Sequence, residues 1–123
     1  MTEPRSLVVK ATHALDDPER AHLACNVAAV ALASGVEVHL FLAVEGVRLA
    51  LPDLDVVAMG VAEAPPVSDL LDALYAAGAV TVCTPCATRR GLTADDFREG
   101  TAMGGSAQFV ELATRPGATA LVY

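Results

Sequence analysis

Apolar positions in this chain come as short continuous runs separated by longer stretches of helical spacing, the alternation of a domain built from β-α-β units. Ser6-Leu7-Val8-Val9-Lys10-Ala11 predicts a first strand. Asp16-Asp17-Pro18-Glu19 then opens a helix, with an Asp cap, Pro at the first helical position and Glu in the first turn. Ala24, Val27, Ala28 and Ala31 recur at helical spacing and give that helix one apolar stripe, and Gly35 closes it. Val36 to Ala43 is almost continuously apolar, the pattern of a parallel strand covered on both faces. Strand, helix, strand with short links predicts a right-handed crossover.

Beyond Gly46 the pattern loosens. A short helix near Val47 to Leu51 and a short segment at Asp55 to Met59 fit the stretch up to Pro65-Pro66, as a loop or as an extra strand. Ser68-Asp69 opens a helix with Leu70, Leu71, Leu74 and Tyr75 on its apolar side, closed by Gly78. Ala79-Val80-Thr81-Val82 predicts a third strand running directly into Cys83-Thr84-Pro85-Cys86. Thr93-Ala94-Asp95-Asp96 reads as a capping box opening a short helix that stops at Gly100. A last helix, about Ser106 to Thr114, leads through Pro116-Gly117 to a final strand, Thr119 to Tyr123. With no repeat, low-complexity tract or linker, residues 1–123 form one α/β domain.

Composition narrows this further. Hydrophobic residues make up 54% and aromatics only 4% with no Trp, so the core is aliphatic. The formal charge of −7, eight basic residues against fifteen acidic, leaves little to neutralise phosphates and argues against nucleic acid. The start of the chain, Met1 to Lys10, reads as a strand and not a signal peptide. No run approaches the roughly 18 apolar residues of a membrane span. These features predict a cytoplasmic protein with no membrane partner, in which three cysteines stay reduced. A mean hydropathy of +0.47 is high for so small a domain and predicts a homo-oligomer.

Chemistry in an open parallel sheet gathers beyond the carboxyl ends of the strands. The residues placed there are Thr12, His13 and Asp16 after the first strand and Glu45-Gly46 after the second. Cys83, Thr84, Cys86, Arg89 and Arg90 follow the third. Cys83 and Cys86 are the candidate catalytic residues, because nearby cations lower a thiol's pKa and make it nucleophilic. His13, Glu45, Arg89 and Arg90 are candidate binding or activating residues. Cys25 sits in a helix stripe and His39 in an apolar strand, both as core residues. Asp95, Asp96 and Glu99 read as a hydrated helix face.

Three chemistries fit a C-x-x-C here. A structural zinc would need ligands from another subunit, since the chain has no second C-x-x-C or His pair, so no metal site is expected. A thioredoxin-type dithiol matches the Pro before the second Cys, but Gly91 interrupts the long helix that such a fold needs. The third is sulfur relay, in which one thiolate accepts a sulfane sulfur as a persulfide and passes it on. No P-loop, G-x-G-x-x-G, H-E-x-x-H or G-x-S-x-G is present, and no cofactor is called for.

Three stretches together resemble the DsrE/DsrF-like family of small sulfur-relay proteins. They are Asp17-Pro18-Glu19-Arg20-Ala21, Val38-His39-Leu40-Phe41-Leu42 running into Glu45-Gly46-Val47, and the segment from Cys83 to Leu92; Gly100 also fits. The resemblance implies a three-layer, flavodoxin-like arrangement with a mostly parallel sheet of four to five strands, assembled as homotrimers or hexamers. It further implies a persulfide-carrying cysteine at Cys83, eight residues before Gly91, and a sulfur-donor or sulfur-acceptor protein as partner. Cys86 marks a C-x-x-C subset, some of whose members are labelled peroxiredoxin-like. A dithiol redox protein and a non-catalytic oligomeric ligand-binding module are the alternative functions.

Overall fold

In the computed structural model, which describes residues 5–123, five strands form one sheet in the order β4-β3-β2-β1-β5, all parallel. They are β1 (Ser6–Ala11), β2 (Glu37–Leu42), β3 (Val80–Cys83), β4 (Ala102–Gly104) and β5 (Ala118–Val122). The reading of Met1 to Lys10 as lacking a signal peptide falls partly on residues 1–4, which lie outside the described residues.

The chain steps from β1 to β4 in one direction, then returns past them to place β5 on the far side of β1. With right-handed crossovers, that reversal sends the last helix to the opposite face of the sheet. The packing agrees. Helices α1 (Pro18–Ala33) and α2 (Val67–Ala76) pack on each other, while α4 (Ser106–Ala113) packs on β1, β4 and β5. Register pairs Lys10 with Phe41, and both meet Phe109 of α4. Alternation turns Val9, Ala11, Leu40 and Leu42 to the other face, where they join the core.

The helix signals act as expected at α1. The Asp17 carboxylate accepts the Arg20 N–H at 3.2 Å, Pro18 occupies the first turn, and Gly35 (φ +83°) turns the chain out. Helix α2 begins one residue before Ser68 and buries Leu70, Leu71 and Leu74. His22 Nε2 donates to the Pro65 carbonyl at 2.7 Å and so fastens the loop ahead of α2.

Two stretches differ from expectation. The helix expected from Thr93 to Gly100 shrinks to a 3-10 turn, Ala94–Asp96, although the Thr93–Asp96 capping box is present. Phe97 turns into the core and the Arg98 N–H bonds to the Ala50 carbonyl at 2.9 Å, which takes the chain off the helical path. Strand β4, absent from the sequence reading, forms just beyond. It is three residues long, lies at the sheet edge and exposes Ala102. In the second stretch, the short helix expected near Val47 to Leu51 is present as a 3-10 helix that starts earlier, Val44–Ala50, and the chain up to Pro66 is loop, with no strand there among the described residues.

Candidate functional site

Strand β3 ends at Cys83, and helix α3 (Thr84–Arg89) starts on the next residue. Pro85 suits this first turn, where a missing N–H costs no helical bond. The helix is one and a half turns long, and Gly91 (φ +70°) lies just beyond it. That single turn sets the geometry. Cys86 comes to rest beside Cys83, and Arg89 and Arg90, three and four positions on, fall on the face of Cys86.

Arg89 Nη1 donates toward Cys86 Sγ at 4.0 Å. Arg90 forks: Nη1 donates to the Cys86 carbonyl at 3.0 Å, and Nε donates to Glu45 Oε2. Arg48 Nε donates to the other Glu45 oxygen at 2.9 Å. One carboxylate thus holds two guanidiniums, and the Arg90 hydrogen bond is the main reason the Glu45 carboxyl sits below its ordinary range. Glu45 reaches this position because the 3-10 turn starts at once after β2. That start forces Val44, a β-branched residue, into the left-handed region at φ 54°.

Both thiols are only 7% exposed. Burial, together with the proton shared with Cys86, pushes the Cys83 thiol up. Cys86 feels burial too, but the Cys83 thiol, the Val44 N–H and the charges of Arg89 and Arg90 outweigh it and bring its pKa down. Cys25, fully buried in α1, is pushed up to about 12 by burial and is inert as a nucleophile.

The structure therefore brings Glu45, Cys83, Cys86, Arg89 and Arg90 into one cluster. His13 is not joined to it by any hydrogen bond or ion pair among the described residues. Its Nδ1 instead pairs with Asp16 Oδ2 at 2.8 Å. Burial acts to raise the Asp16 carboxyl, but the Ala14 N–H and His13 together outweigh it and hold the group below its ordinary value. His39 lies on the α4 face with its Nε2 buried and without a hydrogen-bond partner, 3.5 Å from Glu37 Oε2. Sequence reasoning passed over two contributors, Arg48 and Val44. Arg48 stands three residues after Glu45, a helical spacing that would have paired them had the turn been started at Val44.

The model of the DsrE/DsrF-like family matches residues 5–122. The chain is 39% identical over 101 residues to the protein MK0008 of Methanopyrus kandleri, covering 78% of this chain and 69% of that one. It is also 39% identical over 83 residues to MJ0989 of Methanocaldococcus jannaschii, covering 67% of this chain and 68% of that one. Among solved structures, the ychN protein of E. coli superposes with a TM-score of 0.76 at 18% identity, covering 97% of this chain and 99% of that one. MTH1491 of Methanobacterium thermoautotrophicum gives 0.68 at 16% identity, with coverage of 98% and 100%. At those identities the structures speak for the fold, a three-layer α/β arrangement around a parallel sheet.

Proposed function

Because this chain belongs to the DsrE/DsrF-like family, whose members support a sulfur-relay-like role at the family level, we propose that it is a sulfur carrier that holds sulfane sulfur on the Cys83–Cys86 pair. The observation that supports this most is the pair of neighbouring free thiols at the carboxyl end of β3, faced by an arginine and framed by the Glu45–Arg90 bridge. The chemistry needs no metal or cofactor. A thiolate attacks the outer sulfur of a persulfide or polysulfide, a new S–S bond forms as the donor's S–S bond breaks, and the electron pair leaves on the donor sulfur. No net oxidation occurs. The setting is a reducing compartment such as the cytoplasm, and the partner is a protein that delivers or collects the sulfur.

Exposure to inorganic polysulfide followed by intact-mass measurement should add about 32 Da per sulfur bound. The added mass should disappear on treatment with a thiol reductant. A chain that gains no such mass is not a carrier. The closeness of the thiols also favours a second reading, a dithiol redox protein cycling through a Cys83–Cys86 disulfide. A loss of two mass units with no sulfur gained would select it.

We further propose that the protein works as a homo-oligomer. Parallel sheets are covered on both faces, yet Ala120 and Val122 of β5 are exposed on the face shared with α4, with Val122 at 62%. Val110 of α4 is exposed as well. A second copy seated there would complete the layer, as the family's trimers or hexamers imply. Sedimentation at micromolar concentration should show multiples of the 12.6 kDa chain, and Val122→Asp should shift the protein toward monomer. A wild-type protein that sediments only as monomer would refute this.

A further inference from the structure

Resting on the homo-oligomer reading, we infer that the open edge of β5 pairs with β5 of a second copy, antiparallel about a two-fold axis at Ala120, so that one sheet runs on from chain to chain. Strand β5 is bonded on one side only, to β1. The bonds at the two ends of that ladder fall on odd-numbered residues of β5 and its flanks. Ser6 N–H donates to the Gly117 carbonyl at 3.3 Å, Tyr123 N–H to the Lys10 carbonyl at 2.9 Å, and Thr12 N–H to the Tyr123 carbonyl at 2.9 Å. Along a parallel strand, alternate residues turn both backbone groups to the same side. Thr119 and Leu121 therefore face β1, while Ala120 and Val122 turn N–H and C=O outward. The Ala118 carbonyl points outward with them; its N–H is closed onto the Arg115 carbonyl at 3.0 Å.

Sheet edges are ordinarily guarded by charge, proline, a bulge, shortness or a covering element. The opposite edge, β4, is only three residues long. Strand β5 has none of these guards. Ala118-Thr119-Ala120-Leu121-Val122 carries no charge and no proline, pairs with β1 without a bulge, and leaves Thr119, Ala120 and Val122 exposed.

A second copy fits this edge better than a foreign strand. About a two-fold axis the strand is its own complement: Ala120 meets Ala120, and each Ala118 meets Val122 of the other copy. Ala120 exchanges both its bonds with its counterpart, and each Val122 N–H reaches an Ala118 carbonyl across the axis. Two chains that each carry a charge of −7 are joined along a segment that carries none, so no like charges are set opposite each other. The pairing also lays the two α4 faces side by side, so that the exposed Val122 side chains adjoin across the axis and the exposed Val110 of each α4 lies on the same side of the joined sheet.

Hydrogen–deuterium exchange of single amides in the assembled protein tests this. An open edge leaves the Ala120 and Val122 N–H groups exchanging near the rate of an unstructured amide; pairing should slow both about 100-fold or more. The Tyr123 N–H, held by Lys10, is the internal control and should stay protected throughout. Ala120→Pro removes an outward N–H and nothing that β1 uses, at an edge position that tolerates proline. It should weaken self-association about tenfold or more. An assembled wild type in which Ala120 and Val122 exchange fast beside a protected Tyr123 would overturn the edge pairing and leave assembly through the α4 face standing. Unchanged association of Ala120→Pro would overturn it as well. A wild type that is only monomeric would refute the oligomer reading and this inference with it.

Discussion

Replacing Gly46 with alanine is expected to lower the melting temperature by about 10 °C or more, the effect of about 3 kcal/mol on a domain of this size. A Cβ at this position would overlap the Ala11 carbonyl oxygen and stand 2.7 Å from its carbon. Neither side can give way easily. The Ala11 oxygen accepts the Ala43 N–H at 3.0 Å, the Thr12 N–H is fixed to the Tyr123 carbonyl at 2.9 Å, and the Gly46 N–H is fixed to the Ala43 carbonyl at 2.8 Å. The glycine is needed for close approach, because it lets the 3-10 turn press against the end of β1. A control is Gly35→Ala, where a Cβ meets nothing within 4 Å and only the positive φ opposes it, costing about 1 kcal/mol. Thermal melting of both variants checks the argument. A Gly46→Ala protein as stable as wild type would contradict it.

Phe41→Ala should cost about 3–5 kcal/mol in urea unfolding. Phe41 is fully buried at the middle strand of the sheet, in a chain with only three phenylalanines, so no other large ring stands ready to fill the gap. Its ring meets Phe109 edge-on at 5.5 Å between centroids, and Lys10 Nζ lies 3.9 Å from the Phe109 centroid. The substitution therefore opens a cavity and removes the surface on which α4 and the Lys10 ammonium rest. A loss under about 1 kcal/mol would mean that the site collapses around the smaller side chain.

Strands with their own apolar run were readable from the sequence: β1 falls where Ser6 to Ala11 placed it, and the Asp17–Pro18 start of α1 needs only local residues. Strand β4 was not readable, since Ala102-Met103-Gly104 is too short to show alternation and pairs only because Thr81 to Cys83 offer an edge. The helix expected after Thr93 failed for a similar reason. Its cap is local, but the bond from Arg98 to Ala50 that diverts the chain spans 48 positions.

At the site, the membership of Glu45, Cys86 and Arg90 in one rim followed from topology, although Glu45 and Arg90 lie 45 residues apart. Their pairing did not, because it depends on where the turn after β2 begins. The order of the two thiols was hidden more deeply. The family resemblance points to Cys83 as the sulfur-carrying thiol, whereas the Val44 N–H and the arginine charges that lower Cys86 depend on the tertiary fold.

Strand β4 has a consequence for time as well as shape. It borders β3 along the residues that end in Cys83, yet it is the shortest strand of the sheet and is held along one side only. Excursions from a folded structure begin where the fewest bonds must be undone. A short edge strand of this kind is expected to open before the interior of the sheet, and here it lies beside the two buried thiols, so its opening is expected to set how long they stay sealed from the solvent.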